Sequence, residues 1–117
     1  PALPGGRPAI LGVDTDAHIR RMVDLVCEQA HELELAIQRL PSNPRVAGDH
    51  AYEVHTRELA VERVYRTAIK ELFARATDVA ALPGLFYRRE VYRHISNMSD
   101  RADSAANLFG MVVMKLA

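Results

Sequence analysis

Tryptophan is absent from this 117-residue chain, and cysteine occurs once, as Cys27. A lone cysteine forms no internal disulfide and is compatible with a reducing compartment. Aromatic residues make up 6% of the chain, too few for a base-stacking surface. Neither sign of charge is in excess. Fifteen basic residues balance fifteen acidic ones, so the electrostatic footprint of a nucleic-acid partner is missing. No apolar run approaches the ~20 residues that cross a bilayer. Nothing at the start reads as a basic flank followed by an apolar block, the pattern of a signal peptide. Strand-like alternation is lacking throughout. So are the nucleophile elbow, the phosphate-binding glycine loop and the HExxH pair.

What is present is helical periodicity. From Arg89 to Ala117 there is no proline and one glycine, Gly110. Val91, Ile95, Met98, Ala102, Ala105, Phe109, Val112 and Leu116 recur at spacings of three and four, which predicts one stripe of a helix. Tyr92, Ala106, Gly110 and Val113 widen it to nearly half the circumference, so this helix is expected to pack on two sides. Asp100, Asp103 and Asn107 follow one edge of it. Met98, Met111 and Met114 are expected to fill a core or an interface. The first turns, with Arg88, Arg89, Arg93 and His94, are expected to be solvated.

Ahead of that helix the chain divides simply. Residues Pro1 to Val13 hold three prolines and three glycines, and residues 1–15 are expected to form an irregular arm. A first helix is expected from Asp14–Asp16, capped by one of those residues, with Ile19, Met22, Val26, Ala30, Leu33, Ile37 and Leu40 inward. Pro41 to Gly48 reads as a turn. A second helix follows from about Asp49 to Ala76, with Ala51, Val54, Glu58, Val61, Tyr65, Ala68 and Leu72 inward. Thr77 to Gly84 reads as the next link, and the third helix starts near Leu85. Residues 16–117 are thus expected to form an all-α, antiparallel three-helix bundle.

Chemistry-bearing residues are few. Cys27 has His31 one turn away, but it borders the apolar stripe and is expected to be a buried small hydrophobe. The carboxylates are more informative. Glu58 stands where the period asks for a hydrophobe, with Glu62 one turn on and His55 on the same side. An uncompensated buried carboxylate costs several kcal/mol. Facing helices bring such groups together, and their hard oxygens suit magnesium, manganese, iron or calcium better than zinc. The metal candidates are Glu58, Glu62, Asp100, Asp103 and Asn107. An arginine pairing with Glu58 is the plain alternative. A ferritin-like di-metal enzyme would place Glu-x-x-His pairs inward, and none falls with both members on a core edge.

Two segments, HTRELAVERVYRTAIKELF (His55–Phe73) and REVYRHISNMSDRADSAANLFGMVVMKLA (Arg89–Ala117), together resemble the C-terminal half of the PhoU-like phosphate transport regulators. The matching positions are Glu58 and Glu62, then Asp100, Arg101, Asp103, Ala106 and Asn107. The resemblance covers roughly Asp16 to Ala117. It implies a cytoplasmic, non-enzymatic regulator, peripheral to the inner membrane, whose partner is a phosphate permease or phosphate-signalling protein. It also implies acidic motifs that hold a divalent or ferric ion, whether iron, manganese, magnesium or zinc. PhoU-like proteins have two three-helix repeats. A chain with one repeat is therefore expected to form a homodimer through the apolar face of its third helix. Two further departures are Ala60, where the family often adds an acid, and Glu62, where it usually has aspartate.

Overall fold

Asp16 begins the ordered architecture by capping the first helix. A computed structural model describes residues 16–116 of the chain. The arm expected over residues 1–15 lies outside them. Asp16 is extended, and its side chain accepts from the backbone N–H groups of His18 at 2.7 Å and Ile19 at 3.2 Å. Those are two of the amides that a helix start leaves unpaired. Helix α1 then runs Ala17–Arg39.

Asn43 caps helix α2, accepting from Val46 N–H at 3.2 Å, and α2 spans Pro44–Ala74. The turn expected over Pro41–Gly48 is therefore shorter. Pro44 sits in the first helical turn, where its fixed φ suits the helix and its missing N–H costs nothing. Gly48 falls inside α2. A Cβ there would lie 3.3 Å from Val113 of the third helix, so glycine allows the two helices to approach closely.

The second link carries a 3-10 turn, Val79–Ala81, capped by Asp78. Helix α3 spans Leu82–Leu116, beginning three residues before the expected Leu85, with Pro83 and Gly84 in its first turn. No strand occurs among the described residues. The three helices form an all-α, up-down-up bundle with α2 at the centre, and the body measures 57 × 28 × 14 Å.

Heptads set the core. Buried residues recur every seven: Met22, Gln29 and Ala36 on α1; Ala47, Val54, Val61 and Ala68 on α2; Tyr92, Ser99, Ala106 and Val113 on α3. This corrects the expected stripes. On α3, Met98, Val112 and Leu116 are exposed, and Tyr92, Ala106 and Val113, expected only to widen the stripe, are core. On α1, Ala30 and Ile37 are exposed, and Leu25 and Gln29 are buried instead. The reason is physical. Ser96, Ser99 and Gln29 are polar, so a hydrophobic count passes over them, but small serines let helices meet closely. Met111 and Met114 are also exposed, and so is Cys27.

The apolar core falls into two clusters. Met22, Leu25, Val61, Ala68, Leu72, Tyr92 and Ile95 form one. Ala51, Val54 and Ala106 form the other. A polar waist separates them. There Gln29 donates to the Val54 carbonyl at 3.2 Å and the Ser99 carbonyl at 3.4 Å, joining all three helices. Gln29 Oε1 and Ser99 Oγ have no partner.

At the upper end, Tyr92 donates its hydroxyl to Asp16, and Arg88 lies 3.6 Å from the same carboxylate. Burial raises the Asp16 pKa. The hydrogen bonds from Tyr92, Ile19 and His18, with the charge of Arg88, outweigh it and hold Asp16 below the usual carboxylate value. Burial and the bond to Asp16 push the Tyr92 hydroxyl well above the ordinary phenol range. Asp16→Ala removes a cap and leaves the Tyr92 hydroxyl unpaired, so it is expected to cost about 2 kcal/mol in urea denaturation. Because the folded pKa lies below the unfolded one, the wild-type contribution is complete above the unfolded value of 3.8 and declines as pH falls through the folded value. The gap between variant and wild type should close in acid. A gap that stays constant from neutral pH down into acid would contradict the assignment.

Candidate metal centre

Glu58 lies on the same heptad line of α2 as Ala51, Tyr65 and Leu72, two of which are buried. Helical spacing sets His55 and Glu62 on either side of it. On α3, Asp103 follows Ser96 by seven residues and Asp100 adjoins Ser99. Packing of the apolar clusters above and below brings these two edges together at the α2–α3 seam.

The result is two overlapping groups that share Glu58. His55, Glu58 and Asp103 each offer one ligand atom within 4.8 Å of the others. Glu58, Glu62 and Asp100 do the same. His55 Nδ1 lies 3.1 Å from Asp103 Oδ1. Glu62 also accepts from Arg66, one turn along α2, at 3.1 Å. The arginine anticipated as a partner of Glu58 is not found among the described residues. The neighbours of Glu58 are other carboxyls, Asp100 and Glu62 on one side and Asp103 on the other.

Crowding of like charge perturbs Glu58. Burial raises its pKa first, then the hydrogen bond to Asp100 and the charges of Asp103, Asp100 and Glu62. Like charges gathered at one seam favour whatever lowers the negative charge there, and a cation held between the carboxylates would do so.

The donor set fits a hard metal. Four carboxylates and one imidazole, drawn from two helices, match the oxygen-rich surroundings of manganese, iron or magnesium better than those of zinc. Glu58 belongs to both groups, so an ion held there would draw on it together with Asp103 and His55 or with Glu62 and Asp100. Bound there, an ion would supply positive charge that cross-links α2 to α3.

The structure thus brings Glu58, Glu62, Asp100 and Asp103 to one place. Asn107 is exposed and lines the adjoining groove with His55, Ala106 and Gly110. His55 was outside the candidate ligand set. Its sequence signal was the spacing to Glu58, three residues on the same face. The Glu-x-x-His pair Glu28 and His31 points away from the core. Glu28 meets Arg57 at 3.3 Å, and His31 is exposed beside Glu34.

Among curated proteins the chain is similar to the UPF0111 protein YkaA of Bacillus subtilis (strain 168). Identity is 27% over 104 residues, covering 88% of this chain and 49% of that protein. The chain therefore spans about half the length of this relative. No family model matches, and no solved structure does.

Glu58→Gln is expected to stabilise the metal-free protein at neutral pH, because it removes one of the crowded charges. The sign follows from linkage. A carboxyl with a raised folded pKa favours folding when protonated, so stability falls as pH rises from the unfolded value of 4.5 through the folded one. Urea midpoints measured across that window should drop for wild type and stay flatter for E58Q. Parallel pH profiles would show that Glu58 carries no such strain.

Proposed function

We propose that this protein is a PhoU-like, non-enzymatic accessory of inorganic phosphate transport, in which the α2–α3 carboxylates hold a metal ion. It acts by binding a partner, a phosphate permease or a phosphate-signalling protein at the membrane. The observation that carries the reading is the convergence of Glu58, Glu62, Asp100, Asp103 and His55 at one seam. Support comes from the motif positions that resemble the PhoU-like regulators and from the similarity to the UPF0111 protein. The ion has a structural or sensory role: it offsets the crowded negative charge and sets the spacing of α2 and α3. No helix among the described residues is long and apolar enough to cross a membrane.

Metal content decides the matter. Protein purified without added metal should carry iron or manganese by elemental analysis. Stripped protein titrated with Mn2+ should gain about 2.7 kcal/mol of stability when the free ion reaches roughly a hundredfold excess over Kd. The double variant Glu58→Gln, Asp100→Asn should lose both properties. A stripped protein whose melting temperature ignores Mn2+, Fe2+ and Mg2+ alike would sink the metal reading.

The second element of the proposal is a homodimer. Met98, Val112 and Leu116 of α3, with Val23 and Ile37 of α1, are exposed apolar residues. A scattered few such residues would be ordinary, but they lie on neighbouring helices of a thin body. Two copies joined over these faces rebuild a six-helix body. Sedimentation at high concentration should give the dimer mass, and Val112→Asp should return the monomer. A wild-type monomer at that concentration overturns the pairing.

A further inference from the structure

The α1–α2 seam, on the other side of α2 from the carboxylates, is a ladder of opposite charges with one gap. His18 meets Glu71 at 2.8 Å. Arg57 meets Glu28 at 3.3 Å and bonds to Glu53. His50 meets Glu32 at 2.7 Å. Between the first and second of these rungs lie Arg21 and Arg63. They line one groove of about 230 Å³ with His18, Val64 and Thr67. Arg63 makes no ion pair among the described residues, and the carboxylate nearest Arg21 is Glu28, 4.0 Å away on the same helix.

Arg21 and Arg63 are exposed on facing helices, and among the described residues no carboxylate pairs with Arg63. Every other rung of this seam has its anion built in. Here the groove has a hydroxyl, from Thr67, and is open to solvent, so an oxyanion can reach both guanidinium groups from outside. Guanidinium is the group suited to forked hydrogen bonding of such oxyanions.

We propose that the groove of Arg21, Arg63 and Thr67 is a binding site for a phosphate group. The ion would complete the charge ladder and tie α1 to α2, as the carboxylate pairs do at the other rungs. The site stands apart from the metal centre and does not depend on it.

The probe is inorganic phosphate at constant ionic strength, observed on the arginine Nε–H resonances of the full chain. The Arg21 and Arg63 signals should shift and saturate with phosphate, and much less with chloride. The variants Arg21→Gln and Arg63→Gln should each weaken binding at least about tenfold, the scale of one charge-assisted pair. Arg93→Gln removes the same charge from a side chain that already pairs with Glu90 on α3 and should leave affinity within about twofold. Vesicles of phosphatidylcholine containing phosphatidate separate the two sources of the group. Binding to vesicles alone, lost in R21Q and R63Q, assigns a lipid headgroup, and saturation by the free ion assigns phosphate itself. The proposal is overturned if neither probe responds, or if R93Q weakens binding as much as R63Q, since that would be general screening by a basic surface.

Discussion

Four carboxylates meet at one seam of this bundle, and nothing about them favours meeting. Mutual repulsion and partial burial both oppose it. The apolar clusters hold them together. Val61, Ala68, Leu72, Tyr92 and Ile95 pack on one side, and Ala51, Val54 and Ala106 on the other. The position of Glu58 on a heptad line leaves its carboxyl no way out except along the seam. Packing energy is thus stored as electrostatic strain at a single place. A bound cation would relieve that strain, and so would a proton.

The interior at the same height is polar as well. Gln29 joins α1 to the backbones of α2 and α3, while its own oxygen and the Ser99 hydroxyl go unpaired. Leaving buried polar atoms without partners costs stability that an apolar residue would not. Such a waist gives the helices a register, because sliding one of them by a turn would strand Gln29 among hydrophobes. The carboxylate edges stay aligned for the same reason. Core and site are therefore two faces of one arrangement.

Charge distribution divides the molecule by seam. The α2–α3 seam concentrates negative charge and, among the described residues, is answered by His55 and, through Glu62, by Arg66. The α1–α2 seam alternates signs and is nearly self-satisfied. The 15 positive and 15 negative side chains cancel overall, so composition alone conceals both features. α2 contributes to both seams.

Much of the fold was legible in the chain itself. Proline and asparagine at the first turn, aspartates ahead of Ala17, and spacings of three and four were enough for three helices and their direction, because these are local effects. Even the suspicion that Glu58 and Asp103 belong together came from register. Three things were not legible. Which flank of a broad apolar helix turns inward depends on its neighbours, so Met98 and Val112 were expected inside and lie outside. A buried glutamine reads as surface until the helices around it are known. Arg21 and Arg63 are 42 positions apart, and no local pattern relates them. Periodicity decides the faces a helix offers; only the packing of three helices decides which faces meet, because side-chain volumes on all of them must be satisfied at once.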